Sequence, residues 1–181
     1  MAKSENFDGM PLTKAVKEWL VSEDWEDEIA IDDERASSRV ESKVGIKDQP
    51  HRLFLEADET SQRLAVYMYS PMTVPPARMA DMARILNRIN CRLKLGRLAC
   101  YDDEDSNPVQ FQANIDVEGG SLSPNQIGTM VGAAIGTFNQ FGQLLAAVAL
   151  TKQPGDKLWA EFLEEEAASA KAEEEAGPSE L

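Results

Sequence analysis

Few side chains in this sequence have the types and the spacing that catalysis or metal binding requires. The 181 residues include one histidine, His51, and two cysteines, Cys91 and Cys100. The cysteines form no CxxC pair, and His51 is too isolated in the sequence to complete a zinc site with them. We therefore expect His51 to be a surface histidine, and the two thiols to be reduced and half-buried.

A partial calcium-binding pattern lies in a short polar run before a predicted strand. Asp103, Asp105 and Asn107 have the spacing of the first three ligands of a calcium loop. The pattern then fails, because Pro108 stands where that loop needs glycine and Asn114 stands where it needs a bidentate glutamate. We interpret the run as the solvated tip of a hairpin and predict no metal site.

Carboxylates are the remaining groups that could support acid–base chemistry. Glu56, Asp58 and Asp116 are candidates, but a paired-carboxylate mechanism needs two such groups face to face, which the sequence does not indicate. The motifs of phosphate-binding loops, nucleophile elbows and zinc proteases do not occur. We therefore predict no catalytic and no cofactor-binding residue, and an enzyme is the least favoured of three hypotheses.

The net charge restricts the class of partner. The chain carries 32 acidic and 18 basic side chains, which gives a formal charge of −14. Such a charge repels phosphate backbones and anionic lipid, so nucleic acid and membranes are poor partners. The first ten residues contain neither an apolar core nor a cleavage site for a signal peptide, which favours a cytoplasmic location.

Hydrophobic periodicity predicts the elements that would position these groups. A helix is expected at 11–22, where Leu12, Val16 and Trp19 recur at helical spacing. The polar residues 58–61 predict a hairpin turn between two strands. Strands are expected where the period changes to two, at 29–31, 40–46 and 53–57, and at 64–69, which is apolar on both faces like a central strand.

The second half of the chain predicts two further helices with a hairpin between them. A helix at 75–90 begins with two prolines, strands at 98–100 and 109–117 form the hairpin, and a capping box begins a long helix at 123–151. The stripe expected to be buried on the helix at 75–90 comprises Met79, Met82, Ala83, Leu86 and Ile89, while Arg78 and Asp81 are expected to face water.

These elements predict an α+β fold. It has an antiparallel sheet of about five to six strands with helices packed on one face, in the order α-β-β-β-α-β-β-α. We expect an N-terminal arm at 1–10, a domain at 11–155, and an acidic Ala/Glu-rich tail at 156–181 that is helical and then disordered. The tail has nine acidic residues and two lysines, and truncation after Leu163 is expected to leave the melting temperature within a few degrees because the rest buries almost nothing apolar.

The long third helix has a face without charge. No charged residue occurs from 119 to 151, although several polar side chains argue against a membrane span. Glycine costs about 1 kcal/mol relative to alanine inside a helix, so regularly spaced glycines suggest close packing. Either a second copy in a homodimer, or the first helix or the tail helix of the same chain, could cover the face. The candidate residues for this dimer or helix-packing face are Gly128, Gly132, Gly136, Gln140 and Gln143.

Two other groups are candidates for contact with a partner. Methionines usually fill cores but also adapt to varied protein ligands, which makes Met68 and Met72 candidate partner-binding residues. Trp159 and Phe162 belong to a small apolar stripe in the tail. We expect this stripe to dock on the body of the protein or in a helix groove of a partner.

The order of the elements, together with three segments, resembles the YbjN family. The segments are 66–70 followed by Val74-Pro75, 83–90 followed by 93–96, and 111–119 followed by Leu122-Ser123. The resemblance covers roughly 12–150 and implies a fold similar to type III secretion chaperones, which are small, acidic, usually dimeric and bind segments of client proteins. It also implies a sensory transduction regulator without catalytic residues. The chain departs from the family near 141–143, where many relatives carry a proline, and in its acidic tail.

We therefore predict a non-catalytic, chaperone-like or adaptor protein. It would be a cytoplasmic homodimer that engages a client polypeptide through apolar surfaces of its sheet and helices, without a cofactor. The alternative is a signalling or stress regulator that senses a small ligand held between the sheet and the helices.

Overall fold

The computed structural model describes residues 7, 9–101 and 107–176, which form four α-helices and six β-strands. The helices are α1 (Pro11–Ser22), α2 (Met79–Asn90), α3 (Pro124–Leu150) and α4 (Gly155–Ala176), and a 3₁₀ turn at Pro76–Arg78 precedes α2. The strands are β1 (Ile29–Asp32), β2 (Ser37–Ile46), β3 (Gln49–Asp58), β4 (Arg63–Thr73), β5 (Arg97–Cys100) and β6 (Pro108–Asp116).

The strands form one antiparallel sheet in the spatial order β1-β2-β3-β4-β6-β5. Six strands is the upper end of the expected number, and the α+β class with helices and an antiparallel sheet is confirmed. Four strands precede α2 rather than the three in the expected order, because β1 forms a short ladder of its own on β2. The expected hairpin around 58–61 joins β3 to β4 in register from Asp58↔Arg63 to Arg52↔Tyr69.

The core lies between one face of the sheet and the helices. α3 contributes its fully buried residues Ile127, Phe138 and Phe141, and the sheet contributes residues such as Leu53 and Phe111. α3 is long and apolar enough to cross a membrane by length and composition alone. Its apolar stripe instead belongs to the same core cluster as the strands. The capping box at its start is present, with the Ser123 hydroxyl accepting from the Gln126 amide.

α1 packs in this core, and a residue far along the sequence caps its first turn. Leu12, Val16 and Trp19 are buried along one stripe, as the periodicity predicts. Met10, at the N-cap position, provides no side-chain cap for the first turn. Instead, the Glu59 carboxylate in the β3–β4 turn accepts the Leu12 amide at 3.1 Å and the Thr13 amide at 2.8 Å. An anion at a helix N-terminus satisfies unpaired amides and complements the helix dipole, so this contact holds α1 to the hairpin.

α2 differs in detail from the expected pattern. Met82, Leu86 and Ile89 are buried as expected, but Ile85 rather than Ala83 completes the buried stripe. Arg78 and Asp81 were expected in water, but their side chains are mostly buried and joined at 2.6 Å. Arg78 also donates to the Val148 carbonyl at 2.8 Å, and this bond ties the start of α2 to the end of α3.

Glycine is required where α2 turns back into β5. Gly96 has φ +74°, and a Cβ there would collide with the Phe111 ring. Asn90 reinforces the same turn, because its side-chain amide donates to the Leu98 carbonyl at 2.9 Å and accepts the Leu98 amide at 2.7 Å. The turn therefore fixes edge strand β5 against the last turn of α2.

Candidate protein-binding surfaces

The sheet has a second face that no helix covers within the described residues. Side chains alternate along each strand, so the neighbours of the core residues point to this opposite side. The register brings Phe54 of β3 beside Tyr67 of β4, and Tyr67 beside Gln112 of β6. We call this helix-free side the open face.

An aromatic ring surrounded by arginines lies at the centre of the open face. Phe54 is only 3 % exposed although no helix packs on it. The guanidinium carbons of Arg39 and Arg52 lie 4.3 Å and 4.9 Å from the centre of its ring. Tyr69 packs edge-on at 5.5 Å. Cation–π contacts and arginine stems therefore shield an apolar side chain that would otherwise face water.

Two carboxylates orient the arginines of this cluster. Glu41 accepts from Nε and Nη2 of Arg52 at 3.1 Å and 2.9 Å, and Glu56 lies 3.6 Å from Nε of Arg39. Each of these four side chains is roughly half exposed. Ion pairs at that exposure stabilise a fold by about 0–1 kcal/mol, so the arginines can exchange partners at little cost.

Tyrosines and glutamines border the cluster and form an open depression of about 690 Å³. Gln110 donates to the Tyr69 hydroxyl at 3.1 Å, and Gln112 lies 3.2 Å from the Tyr101 hydroxyl. Burial and the nearby Glu56 carboxylate raise the pKa of Tyr67 and Tyr69. Both phenols therefore stay neutral at physiological pH and can donate hydrogen bonds. The residues that line the depression are Arg39, Arg52, Phe54, Glu56, Tyr67, Tyr69, Tyr101, Pro108, Gln110 and Gln112.

His51 is not on the surface, which corrects the sequence-based expectation. It is 4 % exposed, and its ring lies 4.8 Å from that of Phe138 on α3. Nδ1 lies 3.1 Å from the Gln49 carbonyl. Burial lowers the pKa of His51, and the hydrogen bond to Gln49 opposes this shift only in part. The ring is thus a core side chain that prefers the neutral form.

The other candidate chemical residues do not converge. Cys91 is exposed at the end of α2, which corrects the expectation that both thiols are half-buried. Cys100 is half-buried as expected, with its sulfur 3.8 Å from that of Met79. Asp103 and Asp105 lie outside the described residues. Within the described part of the chain, no group of three or more histidine, cysteine or acidic side chains could hold a metal ion.

Two of the candidate carboxylates lie on different strands, with β4 between them. Asp58 and Asp116 pair with opposite sides of Arg63, so one whole strand lies between them. Asp58 accepts the amides of Thr60 and Ser61 in the hairpin turn, and hydrogen bonds from Ser61 lower its pKa. These carboxylates have structural partners and do not face one another.

The uncharged face of α3 is covered at its two ends and open in the middle. A Cβ at Gly128 would lie 3.3 Å from the indole nitrogen of Trp19 on α1, so this glycine permits close packing. Gln140 donates to Glu166 of α4 at 3.0 Å, and Gln143 lines a depression between α3 and α4. Gly132 and Gly136 are exposed, and a Cβ at either would meet no atom within 4 Å. α1 therefore covers the start of this face and α4 covers its end.

The four candidate partner-binding residues lie on the helix side. Met68 has no exposed surface and fills the core, which corrects its choice as a surface residue. Met72 is half-buried beyond a β-bulge in β4. Trp159 and Phe162 are half-buried on the body of the protein, where Phe162 lies 5.4 Å from the Phe141 ring. The expected docking of the tail stripe on the body is therefore present.

Sequence reasoning missed the open face, although a signal for it exists. The segment 64–69 is apolar on both faces, which predicts a strand buried from both sides. In the fold, Tyr67 and Tyr69 lie on the side without helices. Phe54 between Leu53 and Leu55 breaks the alternation in the same way. The large aromatic residues on the side of β3 and β4 opposite the core are therefore the sequence signal for the open face.

Comparison with known proteins gives a family match and similar folds. The model of the YbjN family, described as "Putative bacterial sensory transduction regulator", matches residues 13–147. No curated protein matches the chain. A chain of the ExsC–ExsE complex has a TM-score of 0.52 at 15 % identity, and the match covers 74 % of this chain and 92 % of that one. At this identity the likeness shows a shared fold.

Two further solved structures are similar at lower scores. One is YbjN from E. coli, described as "a putative transcription regulator", with a TM-score of 0.49, 12 % identity, and coverage of 72 % of this chain and 91 % of that one. The other is a chain of the HopA1–SchA chaperone–effector complex, with a TM-score of 0.47, 15 % identity, and coverage of 75 % and 98 %.

Proposed function

The chain belongs to the YbjN family, and we propose that it is a non-catalytic, chaperone-like or adaptor protein that binds a client polypeptide on the open face of its sheet. The solved complex with a similar fold pairs two proteins, ExsC and ExsE, which is consistent with this class of function. The proposal includes a cytoplasmic location, in keeping with the acidic composition of the chain.

The composition of the open face is the observation that carries the proposal. Aromatic residues and arginine are enriched in protein interfaces and in the few residues that dominate binding energy. Phe54, Tyr67, Tyr69 and Tyr101 cluster there with two arginines, on a chain that has only twelve aromatic Phe, Tyr and Trp residues. The open face therefore has the aromatic and arginine composition of a binding surface.

The geometry suggests how a client segment would bind. An extended or helical segment lying across the depression could place an apolar side chain against Phe54 and the tyrosine rings. Carboxylates on the client could pair with Arg39 and Arg52 in place of Glu41 and Glu56, because the existing ion pairs are weak. The neutral tyrosine hydroxyls and Gln110 would supply hydrogen bonds to the client backbone.

Affinity capture from a native lysate tests the proposal with three matched baits. The wild type is compared with Arg39→Ala/Arg52→Ala on the open face, and with Lys14→Ala/Arg84→Ala, which removes two exposed positive charges from α1 and α2. We expect a polypeptide that the wild type and the control variant retain and the open-face variant loses. A polypeptide captured equally by all three baits would contradict the open face as the binding surface.

Self-association through α3 is a separate part of the proposal. The uncovered middle of its uncharged face, at Gly132 and Gly136, could approach the same helix of a second copy closely. Light scattering on purified protein is expected to give the mass of a homodimer, and Gly132→Leu is expected to give a folded monomer with a lower melting temperature, because the bulky side chain separates the packed helices. A wild-type monomer would contradict the dimer without bearing on the open face.

A further inference from the structure

α4 lies outside the domain that defines the family. The family match ends at Ala147, inside α3, whereas α4 begins at Gly155. The chain of the ExsC–ExsE complex is covered over 92 % of its length, yet that match leaves a quarter of this chain without a counterpart. α4 is therefore an addition to a domain that is already closed around α3.

α4 packs in a groove between α2 and α3 with a definite chemistry. We define the α4 groove by Arg88 and Arg92 at the end of α2 and by Gln140, Phe141 and Leu144 of α3. Its apolar floor receives the aromatic stripe of α4, since the rings of Phe141 and Phe162 lie 5.4 Å apart. The guanidinium carbon of Arg92 lies 5.8 Å from the centre of the Phe141 ring.

Acidic residues of α4 pair with both arginines of the groove. Asp156 lies 2.6 Å from Nη2 of Arg88, and Glu166 lies 2.6 Å from Nη2 of Arg92. The hydrogen bond from Arg92 lowers the pKa of Glu166, so the carboxylate is ionised at neutral pH. The pairs are ten residues apart along α4 and bracket the aromatic stripe, so they fix the direction of a helix in the groove.

The attachment of α4 is weak compared with its length. Gly155 and Leu158 are its buried residues within 155–172, and Trp159 and Phe162 are half-buried. Side chains in the two ion pairs are 35–67 % exposed, so these pairs add at most about 1 kcal/mol each. A depression of about 490 Å³ also remains open between α3 and α4. The groove is thus occupied without being sealed.

We propose that the α4 groove is a binding site for an acidic amphipathic helix of another protein, and that α4 is its resident, displaceable occupant. The sequence of α4 shows which residues such a ligand needs. Leu158 and Trp159 are adjacent, Phe162 follows about one turn later, and Asp156 and Glu166 lie on either side of them. Charge complementarity selects an acidic helix, because Arg88 and Arg92 would otherwise lose their carboxylate partners. Displacement of α4 would then couple binding of this partner to release of the tail.

A labelled peptide of residues 155–172 tests the site by fluorescence anisotropy on the full chain. In the wild type, α4 competes from within the molecule at high effective concentration. Trp159→Ala/Phe162→Ala loosens α4 without changing the groove, so we expect the apparent Kd for the peptide to fall at least ten-fold. Adding Arg88→Ala/Arg92→Ala to this variant should reverse most of the gain. Leu163→Ala changes an exposed apolar residue of the same helix and should bind the peptide like the wild type.

Equal peptide binding by the wild type and a folded Trp159→Ala/Phe162→Ala variant would overturn the proposal. If that variant fails to fold, Asp156→Asn/Glu166→Gln loosens α4 through its charges alone and gives the same comparison. A wild-type dimer that dissociates when the peptide is added would instead identify α4 of a second copy as the occupant, and would also overturn the proposal. The open-face variant Arg39→Ala/Arg52→Ala is expected to bind the peptide normally, so failure of this site is distinguishable from failure of the proposed function.

Discussion

The two faces of the same sheet bury their apolar residues in different ways. On the helix side, Leu53 and Phe111 are covered by packed helices and have almost no exposed surface. On the open face, Phe54 is nearly as buried, but its cover consists of two arginine side chains. α1 and α3 are held by their own buried core residues, whereas a half-exposed arginine can move aside. Equal burial therefore does not imply an equal role in stability, and the following predictions test that difference.

The largest expected effect is on the helix side. Phe111→Ala should lower the free energy of unfolding by about 3–5 kcal/mol, because it leaves a cavity in a closed core. Tyr69→Ala on the open face should cost about 1 kcal/mol, near the average for single substitutions. Chemical denaturation of both variants checks the contrast. Losses of similar size would mean that the open face is part of the structural core.

The attachment of α1 should have an intermediate effect. Glu59→Ala removes the side chain that accepts the amides of Leu12 and Thr13, and helix caps contribute about 0.5–2 kcal/mol. Glu34→Ala, an exposed acidic residue in another turn, should change the free energy of unfolding by far less. Urea unfolding measures both variants. A negligible loss for Glu59→Ala would show that packing alone holds α1.

Alanine at the exposed glycines of α3 should be stabilising. A Cβ added at Gly132 or Gly136 meets no atom of its own chain, so in dilute, monomeric protein Gly132→Ala and Gly136→Ala should each raise the free energy of unfolding by up to about 1 kcal/mol. Gly128→Ala places its Cβ 3.3 Å from Trp19 and should gain less or lose stability. Thermal unfolding at several protein concentrations provides the measurement. Destabilisation by Gly132→Ala at high protein concentration that disappears on dilution would show the packing of a second chain that the proposed homodimer requires. Destabilisation that persists in dilute protein would contradict the open middle of the α3 face.

Acidification should reveal the buried histidine. The pKa of His51 is lowered from 6.5 by burial, so the unfolded chain binds a proton more readily than the native one. Its contribution to stability is complete above about 6.5 and is lost as the pH falls below that value. His51→Gln should therefore flatten the decline in the free energy of unfolding between pH 7 and 5.5, where the carboxylates remain ionised. An identical pH profile for variant and wild type would contradict this assignment.

Local signals made much of the fold predictable. The bounds of α1, the capping box of α3 and the strand near 109–117 all follow from periodicity and termination signals within a few residues. His51 could also have been placed correctly, because it shares the parity of Leu53 along β3. The alternation of inward and outward positions along a strand therefore predicts burial better than the polarity of a single side chain does.

Contacts between distant segments account for the rest. Glu59 caps a helix 46 positions earlier in the chain, and Arg78 binds a carbonyl 70 positions later. Neither contact can be predicted from the spacing of residue types within a short segment of the sequence. The sequence places aromatic residues on the outward side of β3 and β4 but does not show what covers them, because an aromatic residue in a strand looks the same whether a helix or an arginine covers it. Residues in the notional calcium loop, such as Asp103, lie outside the described part of the chain.

Hydroxyl-radical footprinting of the captured complex tests the central claim most directly. Oxidation of Tyr67, Tyr69 and Tyr101 is compared between the chain alone and the chain bound to its polypeptide partner. We predict that the partner strongly reduces oxidation of these tyrosines and leaves exposed Val21, on the helix side, unchanged. Unchanged oxidation of the three tyrosines, together with protection confined to the helix side, would contradict the open face as the client-binding surface.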